Sequence, residues 1–249
     1  MSNFIGDVCF YTIADAKNIG YANIMHNSLM KFHPDIPHFI FTGKDLEWTQ
    51  DPKKFYRMYA KFGEQLSKEY ELVMQIDADS IVTGSLDHII NDKTFEVGGV
   101  LNNNTIDPKI NIFVIPPDVY INAGFIAVRS QRFWKWWNKL NYTTYFDMMQ
   151  FVEQDTLNLI FHLGDLKSKI FDMSKNWHGL ISKGLWNKLE MKGDEIVLPE
   201  SLTEDNVRRE EKIIKIIHFA GGNVPKMNVD TYFRPEVVKR LKFLMEETK

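Results

Sequence analysis

Two kinds of apolar pattern alternate along this chain. Residues 7–13, 38–42 and 71–76 are short runs rich in Val, Ile and aromatic side chains, and each predicts a buried strand. Between them, 21–32 has helical character, stops before Pro34 and turns Leu29 and Phe32 inward. The segment opened by Asp51-Pro52, an N-cap residue followed by proline at the first helical position, repeats Phe55, Met58, Tyr59, Phe62 and Leu66 along one face. Strand, helix, strand opens a parallel sheet with right-handed crossovers. The pattern therefore predicts an α/β fold with a mostly parallel central sheet flanked by helices.

Further strands are expected at 95–101, 110–115 and 125–128, the last preceded by Asn122-Ala123-Gly124, with helices at 131–140 and from 151 to Gly164 and a short strand at 170–173. Trp134 and Trp137, one helical turn apart, read as core packing, and Gly164 as a helix C-cap. A loop at 176–179 and a hairpin over 188–197, turning at Gly193-Asp194, come next. A solvated charged stretch at 204–212 and a late strand at 213–217 lead into His218-Phe219-Ala220-Gly221-Gly222. Val237, Val238, Leu241 and Leu244 form the stripe of a C-terminal capping helix, about 234–248, which completes one domain over 1–249.

The chain has 249 residues, 44% of them hydrophobic, enough to bury a core without disulfides. Its single Cys9 lies in the first apolar run and reads as a buried structural thiol. A formal net charge of -3 argues against a nucleic-acid partner, which calls for a basic face. No apolar segment approaches the roughly 20 residues needed to span a bilayer. The first ten residues lack a basic region followed by an apolar core, so a cytoplasmic location is expected. On that expectation the glycosylation patterns at Asn103-Asn104-Thr105 and Asn141-Tyr142-Thr143 read as chance. The oligomeric state is left open.

Candidate chemistry centres on 71–82, an apolar run that delivers Asp77 and Asp79 to its carboxyl end and then turns apolar again. In an extended chain alternate side chains share a face, so both carboxylates would point one way while Ala78 faces back. Such a pair repels at neutral pH until a proton, a basic side chain or a cation relieves it. A hard cation such as Mg²⁺ or Mn²⁺ takes one or two carboxylates and commonly substrate phosphates as well. The plain alternative is a pair of solvated or helix-capping aspartates. The pair lies beyond a strand's carboxyl end, where open α/β sheets bind ligands. Asn122 is either a turn residue or a substrate contact, and Gly124 permits close backbone approach in both cases. Glu153 and Asp155 stand with Gln154 at a helix start, where acidic residues are favourable on structural grounds alone.

Lys61, Ile76-Asp77-Ala78-Asp79, Asn122-Ala123-Gly124, Gln154 with Leu157-Asn158, and His218-Phe219-x-Gly221 occur in that order. Taken together, over about 8–226, the chain resembles metal-dependent glycosyltransferases of the GT-A fold, and most of all glycosyltransferase family 8, the glycogenin and bacterial galactosyltransferase group. The resemblance implies a Rossmann-like GT-A domain. It also implies transfer of a sugar from a nucleotide-sugar donor, a UDP-hexose, to a hydroxyl of a glycan, glycoprotein or lipid, with retention of configuration. Asp77, Asp79 and His218 would bind Mn²⁺, or Mg²⁺. Tyr11, Thr12 and Asp15 would meet the nucleoside, while Lys61, Asp77, Ala78, Gly221 and Lys226 would meet the diphosphate and donor. Asn122, Glu153, Gln154 and Asp155 would stand at the reacting sugar. This chain departs from the family pattern in having Glu153 for Asp and Ala123 for Ser. It also has Lys226 in place of a lysine that precedes Pro-Trp. Two other readings of the same Asp-x-Asp are a Mg²⁺-dependent phosphohydrolase and a catalytically inactive sugar-nucleotide-binding protein.

Overall fold

The computed structural model describes residues 4–43, 52–102, 115–116, 118–143, 151–175, 177–178, 183–202, 208–209, 211–220 and 227–247. Its centre is a six-stranded sheet. The first half of the chain supplies β1 (Gly6–Ile13), α1 (Ile19–Met30), β2 (His38–Phe41), α2 (Pro52–Leu66) and β3 (Tyr70–Ile76). There follow β4 (Ser80–Val82), α3 (Asp87–Ile90), β5 (Val97–Leu101), β6 (Ile121–Val128), α4 (Gln131–Asn141), α5 (Glu153–Leu163) and β7 (Ser168–Phe171). The strand order is β2-β1-β3-β6-β5-β7. β1 runs parallel to β2 and β3, and β5 parallel to β7, whereas β6 is antiparallel to both of its neighbours. This is the expected mostly parallel α/β sheet with one reversed strand.

Each sheet face is covered by the apolar stripes that the sequence marks. On one face α2, α4 and α5 press Met58, Phe62, Trp134, Trp137, Leu157 and Phe161 against Tyr11 and Val73. Trp134 and Trp137 are fully buried, as their spacing suggests. At Gly63 a Cβ would come within 2.2 Å of the Trp134 ring, so α2 and α4 approach closely only because that position is glycine. On the other face α1 packs Met25 and Leu29 against Phe10, Leu72, Met74 and Phe125. Cys9 is buried, and burial pushes its thiol far above the usual range.

A second layer lies beside β4. It includes β8 (Trp177–His178), β9 (Glu190–Lys192), β10 (Glu195–Leu198), β11 (Ser201–Leu202), β12 (Arg208–Arg209), β13 (Lys212–Ile213) and β14 (Ile216–His218). β14 lies between β4, antiparallel, and β8, parallel, while β13 pairs with β10 in a separate small sheet. The single late strand expected at 213–217 is therefore two. Ile214 donates its N–H to Ile196 and Lys215 to Ser174, which passes the chain from one sheet to the next. The loop expected at 176–179 contains β8, and the charged stretch contains β12. The hairpin turns at Gly193, whose φ of 61° is the left-handed conformation glycine tolerates. Gly164 caps α5 as expected, donating its N–H to the Ile160 carbonyl at 2.9 Å, and the left-handed residue is the next one, Asp165, φ 49°. Helices α6 (Val229–Tyr232) and α7 (Pro235–Met245) close this layer, with Val237, Val238, Leu241 and Leu244 buried. Each such side chain contributes about 2 kcal/mol on burial. The expected N-cap Asp51 and the expected strand at 110–115, Ile115 excepted, lie outside the described residues.

Candidate active site

The two aspartates meet by a route that strand alternation did not anticipate. β3 stops at Ile76 and residues 78–79 turn, so the run 71–82 is two strands in two different sheets. Asp77 ends the large sheet, donating its N–H to the Gly124 carbonyl at 2.9 Å. The Asp79 carbonyl accepts from the N–H of Phe219 at 2.9 Å, and Ser80 then pairs with His218 in register. His218 is thereby delivered to both carboxylates. Its Nε2 lies 3.4 Å from Asp77 Oδ2 and 3.3 Å from Asp79 Oδ1, and the three ligand-type atoms lie within 4.8 Å of one another.

The surroundings orient this triad. Tyr59 donates its hydroxyl to Asp77 Oδ1 at 3.1 Å and Gln75 donates Nε2 to the same oxygen at 2.8 Å, which leaves Oδ2 for the imidazole side. Burial lowers the proton affinity of His218, but hydrogen bonds to Asp77 and Asp79, with their charges, more than reverse this and lift its pKa to about 9. A proton thus relieves the carboxylate repulsion at neutral pH. Two carboxylates and one imidazole are also a donor set that fits a divalent cation such as Mn²⁺. Gly124 makes the approach possible: a Cβ there would stand 2.0 Å from His218 Cε1 and 2.5 Å from Nδ1.

The reversed strand β6 brings the second group of residues. Because it runs antiparallel to β3, its amino end lies beside the carboxyl end of β3, and the β5–β6 register shifts between Gly99 and Val100. Asn122 donates to Asn102 Oδ1 at 2.8 Å and accepts from the N–H of Gly124 at 2.8 Å, so it is a strand residue rather than a turn. Gln154 Oε1 accepts from the Ala123 N–H at 2.9 Å and from Asn122 Nδ2 at 3.3 Å. Asn158 accepts from Ile121 N–H at 2.7 Å and donates to the Ile121 carbonyl at 2.9 Å, standing in for a neighbouring strand where β3 has ended. From behind, Trp137 Nε1 donates to the Glu153 carbonyl at 3.1 Å. Immediately before α5, Val152 has φ 46° and ψ -104°, a strained conformation for a β-branched residue.

A cleft of about 270 Å³ results, with polar walls that include Asp77, Ala78, Asp79, Asn122, Glu153, Gln154 and His218. Enclosure raises the pKa of Glu153 well above the carboxylate range, and the charges of Asp77 and Asp155 add to the effect. Some expected residues lie elsewhere. Asp155 is buried away from the lining, accepting from the Tyr120 hydroxyl at 2.5 Å and from the Phe151 N–H at 2.9 Å. Tyr11 and Thr12 are fully buried and do not line the cleft; their hydroxyls are satisfied by donating to the carbonyls of Tyr59 and Ile76. Asp15 Oδ1 accepts from the N–H groups of Lys17 and Asn18, forming the turn that carries Asn18 to the cleft. Lys61 is half-buried on α2 and is not among the lining residues. Gly221 and Lys226 lie outside the described residues.

Asn18, Phe55, Tyr56 and Tyr59 also line the cleft, a role that the sequence pattern did not reveal. Tyr59 read as core because it shares a stripe with Met58 and Phe62. A hydroxyl on a core-facing ring that must find a partner was the available signal. Gln75, a polar residue two positions before Asp77 in a buried strand, was another.

No protein-family model matches the sequence, and no curated protein matches it. The fold, by contrast, is similar to solved glycosyltransferases. The apo structure of the bifunctional glycosyltransferase WbbM aligns with a TM-score of 0.59 at 14% identity, over 98% of this chain and 50% of that one. The galactosyltransferase LgtC, in complex with donor and acceptor sugar analogues, gives 0.56 at 16% identity over 95% and 94%. A glycosyltransferase involved in glycosylation of the major capsid of PBCV-1 gives 0.59 at 9% identity over 96% and 100%. The chain thus spans about half the length of WbbM and nearly all of the other two. It has the GT-A type α/β fold of these proteins.

Proposed function

We propose that this protein is a metal-dependent glycosyltransferase that moves a sugar from a nucleotide-sugar donor, a UDP-hexose, to a hydroxyl acceptor with retention of configuration. The observation that carries the reading is the convergence of Asp77, Asp79 and His218 with Asn122, Glu153 and Gln154 on one polar cleft. The GT-A fold adds to it. Asp77, Asp79 and His218 would hold Mn²⁺, which when bound supplies Lewis-acid neutralisation of a diphosphate. The remaining chemistry falls to the chain's own groups. Transfer breaks the bond between the anomeric carbon and the β-phosphate oxygen, forms one to the acceptor oxygen, and passes the hydroxyl proton to the departing diphosphate. Gln154, tethered through Oε1 to Ala123, positions the reacting sugar from one side. Glu153, whose enclosure favours its neutral form, would donate a hydrogen bond to a sugar hydroxyl without adding negative charge beside the phosphates.

Release of UDP from UDP-glucose and UDP-galactose, with Mn²⁺ against a chelator, tests the reading. Cation-dependent release that rises with an added sugar acceptor is expected. Donor binding without release, indifferent to the cation, would favour the binding-only alternative. Phosphate release from a phosphomonoester would favour the phosphohydrolase.

A further inference from the structure

A cavity of a different kind lies on the outer side of the α4–α5 pair. It is a groove of about 510 Å³ walled by Trp136 and Leu140 of α4 and by Leu159, Ile160 and Leu163 of α5. Its rim carries large apolar side chains in the open: Leu163 is 74% and Trp136 39% exposed. These residues contribute nothing to the cleft, which opens at the amino end of α5.

The charge on this face runs against the balance of the chain. The protein has a net charge of -3, yet residues 131–143 hold Arg132, Lys135 and Lys139 and no Asp or Glu. Arg132, Lys135, Trp136 and Lys139 follow helical spacing and are all exposed, so they form one stripe. The Arg132 guanidinium lies 5.0 Å from the Trp136 ring centre and donates to the Asp165 carbonyl at 2.6 Å, which holds cation and indole together at the rim. Asp165 brings the nearby carboxylate of α5's end, and the stripe stays cationic by excess.

An apolar slot edged by lysines and arginine, with an indole at the boundary, matches the make-up of surfaces that rest in a membrane interface. Tryptophan prefers the headgroup level because its ring is apolar and its N–H is polar. We infer that the α4–α5 face seats this protein on an anionic lipid bilayer. Trp136 and Leu163 enter the headgroup boundary, and Arg132, Lys135 and Lys139 meet lipid phosphates. The inference does not depend on the transferase reading.

Co-sedimentation of the full chain tests it, using vesicles of phosphatidylcholine alone and of phosphatidylcholine with phosphatidylglycerol. Binding to the anionic vesicles that falls with added salt is expected, with little on the neutral ones. Each cation near such a surface is worth about fivefold in affinity, so Lys135→Ala with Lys139→Ala should weaken binding by roughly tenfold or more. Trp136→Ala should weaken it without lowering the unfolding midpoint, since the ring is exposed; if the midpoint falls, the double lysine variant decides. Absence of binding, equal binding to both vesicles, or variants that bind like the parent would overturn the inference. A dimer in solution that Trp136→Ala dissociates would overturn it too, assigning the groove to a second copy.

Discussion

Replacing Gly124 by Ala tests the construction of the site with a single methyl group. Its Cβ would stand 2.0 Å from His218 Cε1, 2.5 Å from Nδ1 and 2.8 Å from Asn122 Oδ1. Ordinary contacts begin near 3.4 Å, so the imidazole would have to retreat by more than about 1 Å. It has little freedom to do so, because β14 is pinned to β4 in register and Phe219 is bonded to Asp79. Overpacking of this kind costs about 1–3 kcal/mol of stability. Metal geometry tolerates only a few tenths of an ångström, and displaced support groups typically cost 10–100-fold in affinity. At a Mn²⁺ concentration about 100 times the parent's Kd, the parent should gain about 2.7 kcal/mol against unfolding. A variant binding about 100-fold more weakly gains about 0.4 kcal/mol at that concentration. Urea unfolding with and without Mn²⁺ reads the difference directly. Gly20→Ala is the control, since nothing lies within 4 Å of its Cβ. Full Mn²⁺ stabilisation in Gly124→Ala would refute the placement of His218 against this strand.

Three other outcomes follow from the same contacts. The folded-state pKa of His218, about 9, exceeds the ordinary 6.5, so its contribution to metal-free stability is complete below about pH 6.5 and is lost as pH rises through 9. That contribution is on the order of 3 kcal/mol, and Mn²⁺ affinity, which needs the unprotonated ring, should climb over the same window; chelator-treated and Mn²⁺-loaded melts across pH check both. Tyr120→Phe removes the 2.5 Å bond to buried Asp155 and should cost about 1–3 kcal/mol in urea unfolding, and it should lower turnover more than donor affinity. Gln154→Ala should lower turnover with donor affinity nearly unchanged, whereas a pure loss of donor binding by calorimetry would remove it from the reacting sugar.

The legible parts of this protein are those whose cause is local. The stripe of α2, the buried run of β3, the paired tryptophans of α4 and the capping stripe of α7 each express a periodicity that one element carries by itself. Asp77 and Asp79 stood out because they interrupt such a run. What local pattern does not carry is which way a strand points. β6 reads as an apolar run in either direction, and only its antiparallel placement puts Asn122 and Gly124 beside Asp77. The same holds for Tyr11, Thr12 and Asp155. The family resemblance implied contacts in the cleft for them, but each answers to a partner from a distant segment: Tyr59, Ile76 and Tyr120 respectively. Burial obliges a polar group to find a partner, and sequence spacing does not say which.

The triad also has a structural consequence beyond chemistry. Asp77 closes the end of β3 in the six-stranded sheet, His218 closes β14 in the three-stranded one, and Asp79 sits in the turn between. Anything that bridges the three groups therefore ties the two sheets together at the floor of the cleft. Without a cation, the His218 proton makes that tie through contacts of 3.4 and 3.3 Å. Cation and proton then compete for one structural role, and the pH and Gly124 experiments probe it from opposite sides, one removing the charge and the other moving the ring. Both should weaken the metal-free protein by the same link, so their effects should be less than additive when combined. A Gly124→Ala variant that keeps the parent's loss of stability between about pH 6.5 and 9 would mean that the proton does not join the sheets, and the coupling of site to fold would have to lie in the β4–β14 pairing alone.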